Sequence, residues 1–165
     1  MAQVYLLLGG NTGNRMKNLN SAVEMICDGI GKVIRTSSVY ETEPFGFRDK
    51  RQFFNVCVIV ETKLSPHQIL KVISEIETTL GRKRKTEKYV SRTIDIDILF
   101  YNDIIFNEPS LNIPHPEFHK RNFALIPMAE ISPEFIHPVL GKTISRLLEE
   151  STDRHKVIWY HHPLF

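Results

Sequence analysis

The alternation of apolar and polar positions is sharpest over residues 92–101, where Ile94, Ile96, Ile98 and Phe100 recur at every second place and Thr93, Asp95 and Asp97 fill the gaps. A period of two is a strand, so one face is expected in the core and the other to carry two carboxylates. Residues 4–8 are apolar throughout and stop at Gly9-Gly10, as a buried strand entering a tight turn would. Met16, Leu19, Val23, Ile26 and Ile30 then recur at helical spacing, with Asn14 a candidate N-cap and Gly31 a candidate stop, which predicts a helix over 15–29. Residues 32–40 predict a second strand, 42–52 a polar loop punctuated by Pro44 and Gly46, and 53–62 a third strand in which Asn55 interrupts an apolar run. Ser65-Pro66-His67-Gln68 has the form of a capped helix start, and Ile69, Val72, Ile73, Ile76 and Leu80 carry the stripe to Gly81.

With the strand at 93–100 the order is βαββαβ, an α+β ferredoxin-like core in which an antiparallel sheet carries both helices on one face. The opposite face is then expected to be open for a site. After Asn102-Asp103, Ile104-Ile105-Phe106 suggests a short hairpin strand, and the remainder is punctuated by proline from Pro109 to Pro138. Only short elements fit there: a helix near 117–130 broken at Pro127 and another near 143–150, together a C-terminal elaboration covering the core.

At 165 residues the chain fits one domain, 1–165, with a core large enough to need no staples. A net charge of +2 and a pI near 8.5 are too mild to imply nucleic-acid binding from bulk electrostatics. Cys27 and Cys57 are expected to be small buried hydrophobes of a reducing compartment, without a disulfide. Met1-Ala2-Gln3 carries no basic segment, and the apolar run at 4–8 is too short for a signal peptide or a membrane span, so a soluble, cytoplasmic protein with no membrane partner is expected.

Asp95 and Asp97 lie about 7 Å apart at Cα on one strand face, near enough to converge on a hard cation such as Mg²⁺. A bare Asp-x-Asp is more often a solvated pair. The cations Arg82, Lys83, Arg84, Lys85, Lys88 and Arg92 immediately upstream shift the reading towards a polyanion bridged by metal. The turn at 9–14 has neither the Lys-Ser/Thr of a P-loop nor the spacing of a dinucleotide fingerprint. His115, between Pro114 and Pro116, sits on a turn, where it is as readily a surface residue as a phosphate ligand. By residue type alone, Phe53 and Phe123 are more often core, and Asn55 more often bonds a neighbouring backbone. His161-His162 has no metal spacing and is expected at the surface.

Together these residues resemble the 6-hydroxymethyl-7,8-dihydropterin pyrophosphokinase family of folate biosynthesis, also called 2-amino-4-hydroxy-6-hydroxymethyldihydropteridine diphosphokinase. The signature is Arg92-x-x-Asp95-Ile96-Asp97-Ile98-Leu99. Supporting motifs follow in order along the chain: Gly9-Gly10-Asn11, Tyr40-x-Thr42-x-Pro44-x-Gly46, Asn55, Glu77, Gly81-Arg82-x-Arg84, Pro114-His115 and Arg121-x-Phe123. The resemblance implies transfer of pyrophosphate from MgATP to the pterin hydroxymethyl oxygen with release of AMP. It implies that Arg82, Arg92, Asp95 and Asp97 are catalytic, with two Mg²⁺ ions on Asp95 and Asp97. ATP would be held by Glu77, Arg82, Arg84, Arg92, Ile98, His115 and Arg121, and the pterin by Thr42, Pro44, Phe45, Phe53, Asn55 and Phe123. The family likeness also implies a monomer and loops at 43–52 and 82–91 that close over both substrates. Val90 stands where the family has Gly or Ala, Tyr89 where some members have Trp, Phe53 where many have Tyr, and Ser110 and Pro116 where some have Arg and Tyr, so retuned nucleotide binding is expected.

Two other readings share parts of this pattern. Ferredoxin-like folds bind RNA on an open sheet face, but the aromatic RNA-binding signature is absent from this chain and its two aspartates would repel phosphates without a metal. A metal-dependent phosphohydrolase accounts for the acids and arginines but not for the set of Phe and Asn.

Overall fold

A computed structural model of the chain describes residues 1–42, 52–81 and 93–164. In chain order its elements are β1 (Ala2–Gly10), α1 (Arg15–Gly29), β2 (Gly31–Thr36), β3 (Val39–Thr42), β4 (Phe53–Thr62), α2 (Pro66–Thr79), β5 (Asp95–Tyr101), β6 (Phe106–Glu108), β7 (Leu111–Ile113), a 3-10 turn at Phe118–Lys120, α3 (Asn122–Ile131), α4 (Ile144–Glu149) and β8 (Val157–His161). β1 is the inner strand of the main sheet, flanked by β5 on one side and β4 on the other; β3 and β2 pair successive lengths of β4, and β8 closes the far edge on β3. Every pairing is antiparallel. This is the expected ferredoxin-like α+β order, with a strand added at the C-terminal end.

The helix starts obey their capping chemistry. Asn14 accepts the Lys17 N–H, and Ser65 and Gln68 form a reciprocal capping box behind Pro66. α1 and α2 bury Leu19, Val23, Ile26, Ile69, Ile73 and Ile76 against Val4, Leu6, Leu8, Val56, Val58, Val60, Ile96 and Ile98. Gly31, at the turn from α1 into β2, allows close approach: a Cβ there would run into the Glu61 carbonyl.

Several expectations need correction. Residues 32–40 form two strands, not one. The Cys57 N–H donates to the Ser37 hydroxyl instead of to a strand carbonyl, and the Ser38 N–H and hydroxyl both donate to Glu130, so the chain leaves the β4 ladder between β2 and β3. Phe100 does not share the face of Ile94, Ile96 and Ile98: Tyr5 pairs Phe100 while Leu6 pairs Ile98, so Leu99 is an extra residue in the strand. That bulge reverses the alternation and sends Phe100 to the other side. Cys27 is exposed on α1, whereas Cys57 is buried as expected. The helix foreseen near 117–130 breaks at Arg121, and Pro127 lies inside α3.

The sheet face away from α1 and α2 is only half open. Tyr5, Leu7, Cys57, Ile59, Leu99 and Phe100 are covered by Phe118, Leu125, Met128, Ile131, Ile144 and Leu147 from the C-terminal elaboration. Phe100 is the hub, edge-on to Tyr5, Phe118 and His137 and tilted against Phe135. Among the described residues no helix is long and apolar enough to cross a membrane.

Two consequences are measurable. Phe100→Ala should cost about 3–5 kcal/mol of unfolding free energy in denaturant titrations; a loss under 1 kcal/mol would mean the aromatic cluster closes up around the gap. His137 is buried, its Nδ1 accepting the Val139 and Leu140 N–H groups. Burial, with His119 adding to it, pulls its pKa from 6.5 down to about 4. The unfolded chain therefore binds the extra proton first, so stability is complete above pH 6.5 and is lost as pH falls from there towards 4. His137→Asn, whose carbonyl can accept the same N–H groups, should flatten that acid limb in urea titrations at stepped pH; parallel curves would acquit His137.

Candidate active site

Register alone assembles the open half of the face. Gly9 pairs Asn55 on one side and Asp95 on the other, and Tyr40 on β3 pairs Asn55, so the four residues form one row across the sheet. From Asn55 to Asp95 the row spans two strand gaps, about 10 Å, with no side chain between. Only glycine fits the middle position, because a Cβ on Gly9 would stand 2.6 Å from the Asn55 Oδ1. Asn55 is 5% exposed, and its buried Nδ2 has no hydrogen-bond acceptor among the described residues. A buried donor without a partner costs about 1–3 kcal/mol, and its natural complement is a ligand acceptor.

Phe53 lies two residues from Asn55 on the same face and pairs Thr42, which is buried. Phe53 is half-buried, and so is Phe123 at the start of α3, where it packs on the edge of the second core cluster. Neither ring is the core residue its type alone would suggest. The Arg121 guanidinium lies 5.7 Å from the Phe123 ring.

Asp97 opposes Leu7, one pleat nearer the second cluster than Asp95, and both aspartates are half-buried. They border a cleft of about 430 Å³ between β5 and α2, whose other walls include Leu70, Ile73, Ser74 and Glu77. β5 is an edge strand, and two of its outward main-chain groups have partners from other segments. The Ile96 N–H donates to the Glu77 carboxylate at 2.9 Å, and the His115 N–H donates to the Leu99 carbonyl at 3.0 Å. Ile98 is buried in the first core cluster, so a ligand would meet it through the main chain at this edge.

The His115 Nδ1 accepts the Glu117 N–H at 3.1 Å. Its pKa is lowered, first by burial and then by Arg121, with Glu117 and Asp95 opposing. The neutral imidazole therefore carries its proton on Nε2, as a hydrogen-bond donor. Tyr40 donates its hydroxyl to Glu130 at 2.7 Å, fixing β3 to the end of α3. Among the described residues no third His, Cys, Asp or Glu joins Asp95 and Asp97 as a cation site. A pair of hard oxygen donors suits a cation whose shell is completed by substrate phosphates. Arg82, Arg84, Arg92, Pro44 and Phe45, like the rest of the basic cluster and the Tyr89 and Val90 departures, lie outside the described residues. Ser110 and Pro116 are exposed.

The family model for 7,8-dihydro-6-hydroxymethylpterin-pyrophosphokinase matches residues 5–133. The chain belongs to this family. The 2-amino-4-hydroxy-6-hydroxymethyldihydropteridine pyrophosphokinase of Aquifex aeolicus is 37% identical over 152 residues, which cover 92% of this chain and 94% of that protein. The folic acid synthesis protein fol1 of Pneumocystis carinii is 43% identical over 91% of this chain. The chain spans only 20% of that relative and 22% of the Dictyostelium discoideum folic acid synthesis protein FOL1. The crystal structure of wild-type Plasmodium falciparum HPPK-DHPS with pteroate superposes with a TM-score of 0.76 at 20% identity over 90% of this chain and 44% of that one, a likeness of fold.

By sequence pattern alone Gly9 reads as a turn residue and not as part of a site. The signal was the uninterrupted apolar run before it: a strand buried on both faces must give up its side chain where a neighbour's polar group crosses. Gly9→Ala should push Asn55 aside, cost about 1–3 kcal/mol and shift the Asn55 side-chain amide resonances; an equally stable variant with unmoved resonances would show that the row has room.

Proposed function

We propose that residues 1–165 act as one pyrophosphokinase domain that transfers pyrophosphate from MgATP to the hydroxymethyl oxygen of 6-hydroxymethyl-7,8-dihydropterin and releases AMP. The observation that carries this reading is the row in which the unsatisfied Asn55 amide faces the Asp95 carboxylate across Gly9. A flat heterocycle with acceptors on its edge answers the amide, and its exocyclic hydroxymethyl group, reaching along the row, comes towards the acids. Phe53 and Phe123 supply the two ring faces, and Thr42 with the segment holding Pro44 and Phe45 completes the polar edge.

On the other side of Asp95, the cleft between β5 and α2 is the ATP site. Glu77 lines it from α2 and the Ile98 main chain from β5. His115 Nε2–H and the Arg121 guanidinium donate to phosphate oxygens, together with Arg82, Arg84 and Arg92. Asp95 and Asp97 would hold two Mg²⁺ ions. When bound, the metal neutralises the triphosphate and lowers the pKa of the attacking hydroxyl. The pterin oxygen bonds to the β-phosphorus, the bond from that phosphorus to the bridging oxygen of the α-phosphate breaks, and AMP leaves with the electron pair. The hydroxyl proton passes to water or to a carboxylate oxygen. The arginine forks tighten as charge gathers on the departing AMP. The exposed Ser110 and Pro116, which replace larger side chains of some relatives, retune nucleotide affinity without touching the acids. MgATP and the pterin supply the reacting groups, and a monomer suffices for the reaction.

AMP release from MgATP, measured with and without the pterin for the wild type, Asp95→Ala and Asp97→Ala, tests the reading. AMP is expected only with the pterin, and each substitution should lower turnover on the order of a thousandfold, the several kcal/mol a metal clamp contributes. No AMP from the wild type would remove the activity, and pterin-independent release of phosphate would favour a phosphohydrolase instead.

A further inference from the structure

α3 begins without a cap of its own. Its N-cap residue, Arg121, is extended and offers no side-chain hydrogen bond to the helix. The cap arrives from the other end of the chain: Asp153 Oδ2 accepts the Asn122 N–H at 2.7 Å. The Asp153 side chain is 3% exposed, and its Oδ1 accepts the His155 N–H at 2.9 Å and lies 2.7 Å from the His155 Nδ1. The grip on Asn122 is closed by two more bonds. Ser151 donates its hydroxyl to the Asn122 Oδ1 at 2.6 Å while accepting the Asp153 N–H, and the Asn122 Nδ2 donates to the Asp153 carbonyl.

The residue held this way stands between Arg121 and Phe123. One is a proposed phosphate donor and the other a proposed pterin wall, and their directions follow from where the helix starts. A buried carboxylate accepting the first helical N–H also matches the positive end of the helix dipole. The far end of α3 is held as well, through Glu130, which accepts from Ser38 and Tyr40. We propose that Asp153 is a positioning residue for the reaction, fixing the start of α3 so that Arg121 and Phe123 are presented together to the two substrates. Asp153 lies beyond the residues 5–133 matched by the family model. The inference deepens the proposed function and rests on it for the roles of Arg121 and Phe123.

The test compares Asp153→Ala, Asp153→Asn and Thr143→Ala with the wild type. Thr143 caps α4 through the Arg146 N–H, so its loss weakens the same layer without touching the start of α3. Hydrogen exchange over residues 121–128 reads the helix start directly, and KM and kcat for ATP and the pterin read the presentation of the two side chains, at a temperature where every variant is folded. Asp153→Ala is expected to speed exchange at the helix start about tenfold or more and to raise both KM values several-fold, and Asp153→Asn, which keeps one acceptor oxygen, to recover most of both. Thr143→Ala should lower Tm yet leave exchange at the start of α3 and both KM values within about twofold. Unchanged exchange in Asp153→Ala, unchanged KM despite faster exchange, or the same KM changes in Thr143→Ala would each overturn the proposal. If Asp153→Ala does not fold, Asp153→Ser takes its place with the same expectations. A wild type without turnover would sink the proposed function and the positioning role with it, while the exchange comparison would still decide the cap.

Discussion

The structure turns on one constraint: β1 is buried on both faces and hydrogen-bonded along both edges, so it has no freedom to shift. A slip of one residue against β4 or β5 would carry its whole apolar set to the wrong side. Its register therefore fixes what stands beside what on the neighbouring strands. Asn55 and Asp95 face each other over Gly9 because Val4, Leu6 and Leu8 must meet the helices and Tyr5 and Leu7 must meet the C-terminal layer. Core packing therefore sets where Asn55 and Asp95 stand relative to each other.

The same constraint explains why the second sheet face is divided. The bulge at Leu99 puts two adjacent β5 side chains, Leu99 and Phe100, on the side that α3 and α4 cover, so apolar packing is densest at the end of the sheet away from Gly9. Asp95 and Asp97 are left at the other end, half-buried, with the aromatic layer behind them. Carboxylates placed against such a wall are shielded from part of the solvent, so a cation or an arginine brought to them interacts more strongly than it would in open water. His115 shows the same environment from the other side: burial lowers its pKa, and the Glu117 N–H on Nδ1 leaves Nε2 as the donor.

Much of this was legible in the sequence. Residues 4–8, 53–62 and the two capped helices announced themselves through period, length and capping chemistry, and the βαββαβ order gave the fold. The Asp-x-Asp strand gave the acids their common face. What was not legible has one physical cause: it depends on contacts between distant segments. The break after Thr36 depends on Glu130, which lies 92 residues from Ser38. The turn of Phe100 depends on pairing with Tyr5, and the strand β8 on an edge supplied by β3. Periodicity reports a local preference, and a single inserted residue reverses it at no cost that the pattern records. Cys27 shows the converse, a helical position next to the buried stripe of Leu19, Val23 and Ile26 that is nonetheless exposed.

The arrangement of supports around the open face completes the argument. β1, β4 and β5 are rigid because the core is, whereas Arg121 and Phe123 stand at a helix terminus, where main-chain groups fray unless something accepts them. The proposed reaction, which takes a phosphate donor and a ring wall from that terminus, is sensitive to its fraying, because an error of about 1 Å in a positioning group is enough to cost rate. Glu130 at one end of α3 and Asp153 at the other hold the helix to elements outside it, one to β3 and one to the segment before β8. The C-terminal elaboration is thus more than a cover for the hydrophobic sheet. It fastens both ends of a short helix to segments outside it, so that Arg121 and Phe123 stand at an anchored terminus.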